Sequence, residues 1–569
     1  MESEKIADHI LSLQSEQEKL LEEKRLLNIE ISRVAPFGDF NRKELDRIEV
    51  ESKRIVQFFC MKNDLSHKIP IASELIFIHT EYDLDYFISI KKERVQFPKM
   101  VEILVDRPVG ELKKDLIRVR DDLVQVEKDL RFYSNALHVL EKGLLDILNN
   151  HHFQLAKHDV SLNLEETLFA VEAWVPVTRI KALHALLIHV NVQCEQIKIE
   201  SNDRIPTYME NKGLPKIGED LVHIYDTPSP SDKDPSFWVL VSFAFFFAII
   251  ISDAGYGFVY LLIALLLRRK TPRHKVALRR FSKLAIILSS CCIVWGVATA
   301  SFFGIELGPE NPFRKTSFIH SLAIQKAEYH MQSKDDVYDE LITQYPEAAS
   351  TKTGTDFLLK SNQIREGKVK YIVQEQFYDN LLMEFSLLIG VIHLSMSLLR
   401  YLFRNFSGLG WVIFMIGGYL YFPTYLGATS ILNIIGWVSK PVAASLGLQL
   451  LYGGIGAVFV LSLIQGRKWM ALHELTNGIQ VFSDVLSYLR LYALALAGMV
   501  MAGTFNTMGQ DAGLIGGFFI IVIGHTVNMG LSIMAGAIHG LRLNFLEWYR
   551  YSFEGGGRLF NPLRLRKMK

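Results

Sequence analysis

Two patterns of apolar residues divide the chain. Up to about residue 235, apolar positions are interleaved with charge and no run is long enough to cross a bilayer. A span takes about 20 apolar residues. From Phe237 to the C-terminus long apolar runs recur. The pattern predicts a membrane domain over 231–569 and a charged domain over 1–230, joined by PSPSDKDPS at 228–236.

In the first half, residues 2–33 read as a charged helix with apolar positions at Ile10, Leu13, Leu20, Leu27 and Ile31, interrupted by Gln17 and Lys24. Residues 108–150 are more regular. Leu116, Val119, Leu123, Val126, Leu130, Tyr133, Leu137, Leu140 and Leu144 alternate spacings of three and four. A seam of that period predicts a coiled coil, and two such helices in one chain predict an antiparallel hairpin. Strand-like runs at 75–78, 86–90 and 100–105, and again at 168–176 and 194–200, predict a small α/β lobe over 68–105 and 160–200. The half carries no phosphate-binding glycine loop, zinc-protease motif or nucleophile elbow. It reads as a stalk with globular ends.

The second half divides into about eight spans near 237–251, 258–267, 284–303, 381–402, 409–431, 441–463, 473–508 and 514–548. The last two exceed an upright span and are expected to tilt or project. The expected fold class is thus mainly α, a polytopic bundle of about eight helices with two long tilted helices at its C-terminal end. A cytoplasmic antiparallel coiled coil with a small α/β lobe completes it. Arginine and lysine crowd the loop at 268–283 and recur at Arg400, Arg404, Arg467, Lys468 and the C-terminal RLRKMK. These positions fall on one side of an eight-span protein, which places the N-terminal domain and the C-terminus in the cytoplasm. The charged start MESEKIADHI has no secretory core.

Composition narrows the chemistry. A net charge of +1, without a basic patch interleaved with aromatics, argues against a nucleic-acid partner. Cys60, Cys194, Cys291 and Cys292 form no CxxC pair, so no metal site or cofactor is expected. The informative charge is Arg490, inside VFSDVLSYLRLYALALAGMVMAG at 481–503. A guanidinium at bilayer depth costs about 2.5–3.5 kcal/mol on insertion scales. Ser483, Ser487, Ala493 and Ala497 share its helical face and let another helix come close. In the last span His525, Asn528, Ser532, Ala535, His539 and Arg542 fall within an arc of roughly 100°. Such a stripe lines water or a partner. Glu547 lies off that arc, as an interfacial carboxylate or a channel mouth, and His393 in GVIH reads as structural. One mechanism uses the whole set. Arg490 holds a partner's membrane-embedded carboxylate ionised, and the polar stripes give two half-channels to it.

At these residues the chain resembles the membrane subunit of the rotary V-type and A-type ATPases, subunit a in eukaryotes and subunit I in bacteria and archaea. The resemblance is carried by SYLRLYALALA (487–497), GHTVN (524–528), IHGLRLNFLEW (538–548), FEGGGRLFNP (553–562), SDAGYG (252–257), GVIH (390–393), VEAWVP (171–176) and the DP at 234–235. It implies a non-catalytic stator subunit that faces a rotor ring of proteolipids (c/K type). It also implies binding to peripheral stalks (E/G type) and to a central-stalk-associated subunit (C/d type). The implied location is a bacterial inner membrane. Arg490 matches the family's essential arginine, Arg542 its second channel arginine and His539 a histidine of the same motif. The chain departs from eukaryotic members at Gly498, where many have a histidine, and at Ser532, where they have a glutamate. It also starts within the first coiled-coil helix, where relatives have a preceding strand and helix. An ion-coupled secondary transporter is the alternative, but that class is expected to show inverted repeats, and no repeat is visible.

Overall fold

The computed structural model describes residues 2–63, 74–81, 83–158, 160–163, 168–190, 192–200, 202–305, 307–365, 368–465 and 470–567. The start of the expected lobe at 68–73, and Arg467 and Lys468 of the loop-charge argument, lie outside them. The chain forms two compact units, Met1–Glu172 with Pro562–Lys569, and Ala173–Asn561.

In the first unit, helix α1 (Glu2–Val34) lies along α3 (Val109–Tyr133) and α4 (Leu137–His158), after the short helix α2 (Arg42–Ser52). Val34, at the end of α1, shares a core with Val109 and Leu112 at the start of α3. His9, near the other end of α1, meets the ring of Tyr133 at 5.3 Å. The helices are therefore antiparallel. Leu112, Leu116, Val119, Leu123 and Val126 are buried as the seam requires. Beyond Tyr133 the seam fails, and Leu137 and Leu144 are exposed. A 3₁₀ turn at Ser134–Ala136 separates the helices. Its tighter winding breaks the phase that the spacing alone carried forward.

The same unit holds a four-stranded antiparallel sheet of β1 (Ile55–Lys62), β2 (Leu75–Glu81), β3 (Leu84–Lys91) and β4 (Val101–Ile103), in the order β2-β3-β1-β4. Strand β1 was not expected. It is an inner strand, with Phe58 in one core and Phe59 and Met61 in another. Only Lys53 and Arg54 separate IVQFFCMK from α2, so it lacks the cluster of turn residues that marks a strand's start in sequence. The expected strand at 168–176 is a pairing of Leu168–Ala170 with Ser161–Asn163, and 194–200 forms no strand.

The second unit is helical. Among the described residues five helices are long and apolar enough to cross a membrane: Val276–Thr299, Ile372–Arg400, Lys440–Ile464, Thr476–Asp511 and Gly513–Ser552. Ser236–Ile251 is apolar but shorter. We label the helices here α5 (Ser236–Ile251), α6 (Ala254–Lys270), α7 (Val276–Thr299), α8 (Phe318–Ser333), α9 (Asp336–Gln344), α10 (Ile372–Arg400), α11 (Ser407–Tyr425), α12 (Lys440–Ile464), α13 (Met470–Ser487), α14 (Leu489–Asp511) and α15 (Gly513–Arg542). Together α13 and α14 hold the 36-residue stretch Thr476–Asp511, and α15 opens a 40-residue one. At 1.5 Å per residue these run to about 54 and 60 Å, twice the thickness of a hydrocarbon core of about 30 Å.

Each motif has a local reason. In SDAGYG, Ser252 adopts a left-handed conformation that ends α5, and the Asp253 carboxylate caps α6 by accepting from the Tyr256 N–H at 2.9 Å. The glycine-rich tail folds onto the linker. Asp232 accepts from the Glu554 N–H and Asp226 from the Gly556 N–H, while Gly555 and Gly556 take positive φ. The long loop between α7 and α10 is folded, with Ile319, Leu322, Ala323 and Phe357 packed on Phe377 of α10.

Candidate functional site

Arg490 stands just beyond a break in its helix. The chain leaves α13 at Ser487, turns at Tyr488 with i to i−3 hydrogen bonds, and enters α14 at Leu489. Tyr488 is fully buried, and His393 Nδ1 meets its hydroxyl at 2.7 Å. His393 also stacks on Trp548, with ring centroids 5.8 Å apart. Gly390, one turn before His393, makes room for this ring. A Cβ there would lie 2.8 Å from Tyr488 Cγ. GVIH is thus a seat for Tyr488, which supports the structural reading of His393. Gly390→Val should cost about 1–3 kcal/mol through overpacking. Tyr488→Phe should cost about as much by leaving a buried histidine nitrogen unpaired. Both should lower the melting temperature of the purified complex by several degrees, and an unchanged melt for both would refute the seat.

The expected site residues fall into three groups. Ser483, Ala493 and Ala497 are exposed, so their stripe forms an open surface of the chain. Arg490, half-buried, borders it. The second group lies beside Arg490. Its Nη1 is 3.9 Å from Glu547 Oε1, and Ser487 donates to that same oxygen at 2.5 Å. Arg542, which reaches the surface, and the half-buried His539 lie within electrostatic range of Arg490. Three buried atoms here have no hydrogen-bond partner among the described residues: Arg490 Nη1, His539 Nδ1 and the second oxygen of Glu547. Buried polar atoms are rarely left so.

Glu547 is the main correction to the helical reading. On a regular helix it points about 40° outside the arc of His525 to Arg542. The helix does not stay regular. Leu543–Trp548 is a π-helix. One extra residue in a turn sets later side chains back by about 100°, which brings Glu547 to the middle of the arc and against Arg490.

The third group is the other half of the stripe. His525, Asn528 and Ser532 are buried. Asn528 donates to the Tyr256 hydroxyl at 3.0 Å and to the Gly498 carbonyl at 2.9 Å. Tyr256 in turn meets His525 Nδ1 at 2.7 Å, and His525 Nε2 meets Asn506 Oδ1 at 3.0 Å. The donors order themselves. Tyr256 accepts from Asn528 and gives its proton to Nδ1, so Nε2 carries the hydrogen toward Asn506. Tyr256 and Asn506 were not anticipated. SDAGYG carries Tyr256, but the motif alone gives no side-chain direction toward the last span. Asp484 was also missed. It is buried and accepts from Tyr551 at 2.7 Å.

Gly498 and Ser532, the two departures from the eukaryotic pattern, face one another. A Cβ on Gly498 would lie 3.7 Å from Ser532 Oγ. The two changes therefore belong to one place. Among the described residues no three His, Cys, Asp or Glu side chains gather as a metal site.

Comparison with known proteins places the chain in a family. Residues 121–439 match the model of the V-type ATPase 116kDa subunit family. The chain is 40% identical over 567 residues to the V-type ATP synthase subunit I of Chlamydia pneumoniae, covering 99% of this chain and 86% of that protein. The subunits I of Chlamydia muridarum and Chlamydia trachomatis serovar D are 39% and 38% identical, again over 99% of this chain and 87% of theirs. A multi-pass chain with these motifs and these relatives belongs to the V-type ATPase 116kDa subunit family.

Proposed function

We propose that this chain is the non-catalytic stator subunit of a rotary ATP synthase or ATPase and carries the two ion half-channels that serve the rotor ring. The observation that carries this reading is the position of Arg490. It borders an open stripe of small residues and has polar groups on both sides along the paired helices. On one side are Glu547, Ser487, His539 and Arg542. On the other are Ser532, Asn528, Tyr256, His525 and Asn506.

The stripe is the approach surface for a rotor helix that bears a carboxylate. Arg490 holds that carboxylate ionised as it passes, so an ion is released on one side and reloaded on the other. The fixed positive charge also blocks a direct cation leak between the two paths. The three buried atoms without partners are places where an ion path needs polar surface. Eight spans, with the N-terminal domain and the C-terminus in the cytoplasm, put the Glu547 group on the cytoplasmic side. The N-terminal domain 1–230, with its hairpin and lobe, holds the peripheral stalks and the central-stalk-associated subunit. The location is a bacterial inner membrane.

Disulfide mapping of the intact complex tests the geometry. Ala493→Cys should crosslink to a cysteine placed beside the proteolipid's membrane carboxylate when an oxidant is added. Met499→Cys, nine residues on and so on the opposite face of the same helix, should crosslink less by about tenfold. No crosslink from Ala493→Cys would sink the proposal.

A further inference from the structure

A cavity of about 480 Å³ lies within the second unit, away from the Arg490 cluster, between the folded loop and helices α10, α11 and α13. Its walls are apolar, with Met415 and Phe422 of α11 and Leu387 of α10 among them. Exposed Leu426, Phe482 and Met383 line it as well, so its mouth is apolar too. Its polar end is of different character. Lys326 and His330, one turn apart on α8, both line the cavity and are both buried.

These two groups are poorly served by the protein. Lys326 makes no hydrogen bond and no ion pair within the described residues. Its ammonium lies 5.0 Å over the Phe377 ring. Burial pulls its pKa down to about 8, although Glu384 and Asp335 act in the opposite sense, and Lys440 adds to the fall. His330 bonds Asp335 through Nδ1, while its Nε2 is buried without a partner. The nearby Glu384 is already engaged. It accepts from Tyr419, from Ser430 and from the Ile431 N–H. Asp335 is shared between His330 and Lys440, and Glu340 stands exposed at the rim. A largely apolar chamber with an unpaired cation at one end fits an amphiphile with an acceptor-rich anionic head. The chamber opens among helices of the membrane domain, and its polar end belongs to the segment between two of them. The molecule with that chemistry at that place is a bilayer lipid.

We infer that the cavity seats an acyl chain of a membrane phospholipid, with the lipid phosphate on Lys326. The phosphate compensates the ammonium that the protein leaves unpaired, and the chain fills the space between the folded loop and the helices. The lipid thereby fixes the loop on the bundle.

Photolabelling of the intact complex in vesicles tests this. One probe is phosphatidylglycerol with a diazirine in its acyl chain. The other is the matching diacylglycerol, which lacks the phosphate. The first should label peptides containing Met415, Phe422 and Leu387, and the second should label them at least about fivefold less. Equal labelling by both probes, or no label in these peptides, would overturn the assignment without any variant. Lys326→Gln should reduce labelling by phosphatidylglycerol at least about fivefold. Leu387→Trp, which fills the chamber, should do the same if Lys326→Gln fails to assemble. Retained labelling in either assembled variant also overturns it.

Discussion

Arg490→Ala should abolish ATP-driven ion uptake in vesicles containing the intact complex, while every other subunit still co-purifies. At about 4 Å and an effective dielectric near 20, a guanidinium favours a facing carboxylate by about 4 kcal/mol. That corresponds to about three pKa units, so without the arginine the rotor carboxylate would ionise about a thousandfold less readily. Arg490→Lys should fail as well, because a point charge on a flexible stem does not reproduce the planar fork. Folding is not the expected casualty. The guanidinium borders an open face and its Nη1 has no hydrogen-bond partner among the described residues, so little packing is lost. Uptake at wild-type rates in Arg490→Ala would refute the mechanism outright.

Glu547→Gln should lower the same uptake by at least about tenfold, equivalent to about 1.4 kcal/mol in a rate barrier. The amide can still accept from Ser487, so the local geometry stays, and only the charge 3.9 Å from Arg490 is removed. Glu547→Asp should recover part of the rate. Glu547→Gln combined with Ser487→Ala should lose less than the two separate effects added together, because both act on one oxygen. Wild-type uptake in Glu547→Gln would leave Glu547 a purely structural carboxylate.

These two residues mark how far the sequence could be read. Arg490 was legible because a fixed charge in an apolar run has few explanations. The small-residue stripe was legible because helical spacing is rigid over three turns. Glu547 was not, because a π-helix changes the phase and leaves no residue-type signature. The seam beyond Tyr133 failed for a related reason, a 3₁₀ turn between two helices. In the sheet, β1 escaped because only Lys53 and Arg54 separate it from α2, with no cluster of turn residues to mark its start. The Tyr256–His525 pairing joins residues 269 positions apart. No local pattern encodes it, and only the packing of α6 on α15 brings the two rings together.

The seat of Tyr488 has a mechanical consequence. On the proposed role, the chain would have to resist the sideways push that each passing carboxylate delivers to Arg490. That push enters the chain two residues from Tyr488, at the one point where the long helix is interrupted. Left alone, an interrupted helix would flex there. The ring of Tyr488 is wedged against Gly390, and its hydroxyl is tied to His393, which stacks on Trp548. On the proposed stator role, torque would pass from the moving contact to α10 and to the end of the last long helix, and the interruption of the helix would become a braced joint.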